Sequence, residues 1–225
     1  MTAPTTDPIR METREQRPDG TGWLWLTLPV ALLGAIAAGA GAFVGGIYAG
    51  DTESFRTQAI SQDYVTLFVA VPLVLVLGLM AYRGNLAARL MWHGVVFYFA
   101  YTYAIASFMV RFNELFLVYT SLLACATFAV IGGLASLGWP ITSTRFGSRW
   151  PRRSVSVFLG VVVVTFLTLW LSDIVPALID GVTPESLAES QTPTNGVEVL
   201  DLAMLLPASA LTSVWVWRAE ARGYV

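Results

Sequence analysis

Two apolar runs separated by a very short polar turn dominate the middle of this sequence. They fall within Arg89 to Leu137, and the turn between them is Arg111–Phe112–Asn113–Glu114. Each run is close to the ~20 residues a helix needs to cross the hydrocarbon core of a bilayer. Spans joined so tightly must stand side by side and antiparallel, which makes the pair a hairpin inside a helical bundle. The stretch also holds the only histidine, His93, the only cysteine, Cys125, and tyrosines 98, 101, 103 and 119.

Composition points to lipid as the solvent. Hydrophobic residues make up 56% of the chain and charged residues 12%, against roughly 25% charged in a soluble domain. A water-soluble core of 225 residues cannot absorb that much apolar surface. The net charge of −2, with no basic run beside stacking aromatics, argues against a nucleic-acid partner. All 13 basic residues are arginine. Without lysine there is no Schiff-base chemistry, so no retinal, and no phosphate-gripping lysine for a P-loop NTPase. One histidine and one cysteine are too few for a zinc centre. No cofactor is expected.

The apolar runs predict an all-α, polytopic transmembrane bundle with six spans, at about 23–49, 64–82, 90–110, 113–137, 154–179 and 199–217. Residues 1–20, polar and carrying three prolines, read as a disordered cytoplasmic tail. Residues 21–225 form one membrane domain. Span one runs past the length of a signal-peptide core and reads as a retained anchor. Its small residues at Ala37, Gly41, Gly45 and Ala49 recur every fourth position, a pattern that lets helices pack closely. Asp51 to Asp63 reads as a polar connection, Pro72 and Pro207 as kinks within spans two and six, and Pro176 as a late break in span five.

Arginine is retained on the cytoplasmic side of membranes. Six spans with both termini inside collect Arg10, Arg14, Arg17, Arg83, Arg89, the arginines of 145–153, Arg218 and Arg222 on one face. Only Arg56 and Arg111 fall outside, among acids that include Asp51, Asp63, Glu114 and Asp201. The expected location is a cell membrane.

Spans two and six echo each other. Each has an acid at its outer end (Asp63, Asp201), an internal proline (Pro72, Pro207), and arginine with glycine at or beyond its inner end (Arg83–Gly84; Arg218, then Arg222–Gly223). Duplicated halves generate such a pattern; so do two unrelated kinked helices under the same charge rule. A true repeat would place another helix after span six. The alternatives are a natural six-span protein or a seven-span fold lacking its last helix.

On Gln62–Asp63 with Pro72, the run Phe112–Asn113–Glu114–Leu115–Phe116–Leu117–Val118–Tyr119, and Val199–Leu200–Asp201–Leu202 with Pro207, the chain resembles a group of uncharacterised prokaryotic multi-span integral membrane proteins. The resemblance covers about residues 45–225 and implies no assigned activity. Members of that group continue for one more span where this sequence stops.

The candidate site lies at the outer ends of the spans: Gln62 and Asp63, Tyr101, the turn residues Arg111, Asn113 and Glu114, and Asp201. In one reading the acids hold a cation or proton in an outward-facing pocket whose aromatics enclose an organic group. In the other, Arg111 pairs with Asp63, Glu114 or Asp201 and clamps three helix ends together. Three functions follow: a small-molecule or ion binding or transport protein, an accessory or scaffold subunit packing through Ala37–Ala49, or a lipid-modifying enzyme. The residue patterns favour the first and supply no nucleophile elbow or paired acids for the third. Lipid, another copy of the chain or a membrane partner protein are the expected neighbours.

Overall fold

The structure, a computed structural model, describes residues 22–137, 151–220 and 223. The tail at 1–20, Arg145, Arg149 and Arg222 lie outside the described residues. Every regular element among the described residues is helical. A 3₁₀ turn at Gly22–Leu26 leads into α1 (Thr27–Phe43), followed by α2 (Glu53–Val65), α3 (Val71–Tyr82), α4 (Leu86–Met109) and α5 (Phe116–Ala135). Then come α6 (Arg152–Asp180), two short helices α7 (Glu185–Ser190) and α8 (Gly196–Leu200), and α9 (Leu206–Trp217).

Five helical stretches are long and apolar enough to cross a membrane: Gly22–Phe43, Glu53–Tyr82, Phe116–Ala135, Arg152–Asp180 and Gly196–Trp217. The 24-residue α4 has the length, about 36 Å at 1.5 Å per residue, but carries Arg89, Trp92, His93 and three tyrosines in place of aliphatic residues. These are core residues rather than a departure from the bundle. Trp92, Val96 and Phe99 of α4 are fully buried, and α1, α3 and α5 pack around them. The remaining pair, α6 and α9, packs mainly on itself and meets the first bundle through α8 against α4. Only Ser156 and Ala177 of α6 are buried, as suits a helix bathed in lipid tails.

Lipid is as apolar as leucine, so helices in a bilayer are held by close packing and hydrogen bonds rather than by hydrophobic burial. Glycine is placed where this requires it. A Cβ on Gly34 would lie 2.7 Å from the Phe99 ring, and one on Gly78 would lie 2.6 Å from Thr27. Beside Gly78, the Trp92 indole donates to Thr27 Oγ1 at 2.9 Å. His93 is buried as well, with Nδ1 2.7 Å from the Arg89 carbonyl and the ring edge against Gly133.

Several expected boundaries move. Span one ends at Phe43 rather than Ala49, because Val44 turns extended and Gly46 adopts a φ of +105° that breaks the helix. Gly45 and Ala49 therefore lie in an exposed turn, whereas Ala37 and Gly41 are buried in the bundle. The polar connection 51–63 is mostly helix. Thr52 caps it by accepting from the Phe55 amide, and Glu53 sits in its first turn, where a negative charge favours a helix start. Span three starts earlier, at Leu86 behind an Asn85 cap, and span four starts at Phe116 after a turn that includes Asn113 and Glu114. Pro176 does not break span five, which runs on to Asp180 and stops at Gly181 in the left-handed conformation. Span six starts at Gly196, behind an Asn195 cap.

The echo between spans two and six has a structural counterpart. Thr66–Ala70 and Asp201–Leu205 are both π-helical, each followed by an α-helix with proline at its second residue. The amide of Val71 donates to the Thr66 carbonyl, and that of Leu206 to the Asp201 carbonyl, five residues back in both cases. Proline cannot supply an amide and collides with the carbonyl one turn earlier. A widened turn accommodates it without ending the rod. In this register Thr66, not Asp63, corresponds to Asp201.

Candidate functional site

Residues of α4 one turn apart receive those two π turns. Tyr98 lies 2.7 Å from Thr66 Oγ1 and accepts from the Gln62 amide. Tyr101 donates to Asp201 Oδ1 at 2.6 Å, and the Trp170 indole of α6 donates to Oδ2 at 2.9 Å. Asp201 is buried, and both of its oxygens are engaged by neutral donors. Tyr101 thereby ties span six to the central helix, while Trp170 ties α6 to span six within the α6–α9 pair. Residues i and i+3 share a helix face, so α4 can present one phenol to span two and the next to span six.

Asp63 has a different neighbourhood. It is buried at 7% exposure, and its Oδ2 accepts from the Tyr48 hydroxyl at 2.7 Å. Gly41 makes the approach feasible, since any Cβ there would overlap that same oxygen. The packing residue and the acid, anticipated as separate features, form one contact. Tyr48 sits in the turn after α1, and burial, followed by the adjacent Asp63 charge, pushes its phenol well above the ordinary range. It is a neutral donor at any physiological pH.

Next to Asp63 lies a cavity of about 300 Å³, walled by Tyr48, Tyr101, Tyr103 and Tyr119, with Phe55, Gln58 and Val197 among its outer lining. No described residue donates to Asp63 Oδ1, although Asp63 lines the cavity. Tyr103 and Tyr119 are each 2% exposed, and among the described residues neither hydroxyl has a hydrogen-bond partner. Tyr119 stands beside Tyr48 and Asn113 without a well-aligned bond to either. Buried polar groups are seldom left without partners in a folded protein. Both oxygens are sealed from contact with even a water-sized group, so Tyr103 and Tyr119 wall the cavity with their rings rather than their hydroxyls.

A second cavity, of about 380 Å³, lies on the other side of Tyr101 and is almost wholly apolar, with Phe97, Phe108, Leu123, Ile131 and Met204 among its lining residues. Tyr101 forms part of both walls.

No protein-family model, curated protein or solved structure matches this chain. The site is therefore read from its own geometry. Of the anticipated residues, Gln62, Asp63 and Tyr101 line the first cavity. Asp201 is absent from its lining and acts through Tyr101 instead.

The arginine clamp does not form. Arg111 is exposed, as is Glu114, and the Arg111 guanidinium has no ion pair with a described acid. Its backbone amide donates to Asp51 Oδ1 at 3.0 Å, while its aliphatic stem rests on Gly50. Asn113 donates to the Ile47 carbonyl at 3.3 Å and accepts from the Leu115 amide. Arg111 and Asn113 thus join the turn at 44–52 to the turn at 110–115 and hold Tyr48 over the cavity. At the end of a helix an exposed guanidinium keeps its hydration, so nothing forces it into a pair.

Tyr48, Tyr103 and Tyr119 complete the site, and charge patterning alone does not select them. The signal available in sequence was Gly41, a small residue at the same depth as the acid.

Proposed function

We propose that this chain is a six-span cell-membrane protein with its amino terminus in the cytoplasm, and that it binds and conducts or presents a small ligand taken from the external side into the Asp63 cavity. The carrying observation is the Asp63 carboxylate buried beside a roughly 300 Å³ cavity, with one oxygen held by Tyr48 and tyrosine side chains lining the space. That volume sits at the small end of ligand pockets, which run from about 300 to 1,000 Å³. An acid at this depth, away from any arginine, is costly unless it serves a ligand, an ion or a proton. Support for counting α4 as the sixth span is its length and its place at the bundle's centre. Support for the orientation is the arginine bias of the 83–89 and 152–153 segments.

Against the scaffold alternative, Ala37 and Gly41 face this chain's own helices, which leaves a partner only the exposed Gly45 and Ala49 of the following turn.

Cysteine accessibility tests the proposal. In a Cys125→Ser background, Ala106→Cys puts a thiol on the cavity wall. A membrane-impermeant maleimide applied to intact cells should label it. Labelling confined to inside-out vesicles, or absent from both preparations, overturns the outward-facing cavity.

A further inference from the structure

We infer that the occupant of this cavity is a small organic ammonium ion, with Asp63 as its counter-charge and the tyrosines as its cage. The inference rests on the ligand-cavity reading above and adds the chemical class. Two features carry it.

The first is sign. Among the described residues, Asp63 is the only acid in the lining, and no arginine or histidine stands there with it. Its one hydrogen-bonding partner among them is a neutral phenol, so no described cationic side chain balances its charge. A cavity with one carboxylate and low-dielectric walls concentrates cations over anions.

The second is the wall. Tyr48, Tyr101, Tyr103, Tyr119 and Phe55 surround the space, and aromatic faces attract an alkylammonium while excluding a strongly hydrated ion. Bare metal ions fit poorly. No group of three His, Cys, Asp or Glu side chains able to hold one occurs among the described residues, and the walls are mostly carbon.

A primary amine would donate to Asp63 Oδ1, and a quaternary ammonium would use the ring faces and the charge.

The Ala106→Cys, Cys125→Ser protein tests the class separately from the cavity. The cavity thiol is reacted with a cationic trimethylammonium methanethiosulfonate and with its anionic sulfonate counterpart. Their rate ratio is normalised to that at an exposed reference thiol, Ser54→Cys in the same background. We expect the normalised ratio to favour the cation by at least about tenfold, and Asp63→Asn to bring it near one. Choline should slow the labelling, whereas its uncharged analogue 3,3-dimethylbutan-1-ol should not.

Should Asp63→Asn fail to fold, Phe55→Leu supplies the second variant by removing one ring of the wall, with weaker choline protection and the charge preference retained. A thiol that reacts readily but shows no charge preference and no choline protection overturns the ammonium assignment and leaves the cavity standing. A thiol that reacts with neither reagent overturns both.

Discussion

Gly41 and Asp63 meet with no room for a side chain between them: a Cβ on the glycine would overlap the aspartate Oδ2 and come 2.7 Å from the Tyr48 hydroxyl. One residue of span one thus decides where the acid of span two can sit. Gly41→Ala should displace the carboxylate, break the Tyr48 bond and cost about 1–3 kcal/mol, as overpacking does elsewhere. Gly39→Ala meets nothing within 4 Å and should be neutral or slightly stabilising through helix propensity. Paired thermal melts of the two variants in detergent check this contrast. Equal melts would show that the contact does not constrain the fold.

Tyr48→Phe removes the donor to Asp63 Oδ2 and leaves a buried acid without its partner, a loss of about 1–3 kcal/mol. The pH dependence follows from the Tyr48 phenol, which burial raises above its ordinary value of 10.0. The folded state holds this proton more tightly than the unfolded chain does. The contribution is therefore fully present below pH 10 and is lost as pH rises beyond it. Wild type should lose stability in alkali more steeply than Tyr48→Phe, by up to one proton or about 1.4 kcal/mol per pH unit. Parallel alkaline limbs in the two stability curves would contradict this.

Asp201 joins the two parts of the bundle through Tyr101 and Trp170. Replacing it with alanine strands both donors and should loosen the α6–α9 pair before the first bundle unfolds. Proteolysis of the exposed segment around Val182 and Thr183 should accelerate several-fold, with the melt of the α1–α5 core less affected. Tyr101→Phe removes the bond that crosses between the halves and keeps the Trp170 bond within the outer pair, so its cleavage rate should approach that of Asp201→Ala. An unchanged cleavage rate in Asp201→Ala would mean that these bonds do not hold the halves together.

Glu114→Gln and Arg111→Gln alter exposed side chains. Both should leave stability within about 0.5 kcal/mol of wild type, since the Arg111 contact to Asp51 uses the backbone amide. Asn113→Ala is the contrasting case. It removes the bond to the Ile47 carbonyl and the turn-closing bond from Leu115, so it should destabilise measurably in the same melt. A large loss from Glu114→Gln would restore the charged clamp.

What could be read in advance divides by distance along the chain. The apolar runs, the two internal prolines and the acid before each were evident because they are local, and the π turns before Pro72 and Pro207 follow from a constraint acting within one helical turn. Span ends were less legible. Gly46 and Asn85 stop or start helices through backbone geometry and capping, whereas hydropathy runs smoothly past such positions. The site was half visible. Gln62, Asp63 and Tyr101 stand where polar residues in lipid demand notice, but Tyr48 is a turn residue 15 positions from its partner, with no periodicity to mark it.

The sequence by itself therefore determined that this is an all-helical chain with several membrane-length spans, and where prolines fall inside two of them. Tertiary structure alone decided the partners. Each residue turns a helix by roughly 100°, so whether an acid faces a phenol, an indole or water depends on how whole helices rotate against one another. Charge complementarity made Arg111 the natural partner for the acids. Packing instead gave Asp63 to Tyr48 and Asp201 to Tyr101 and Trp170, because neutral donors can be buried without stripping water from a guanidinium.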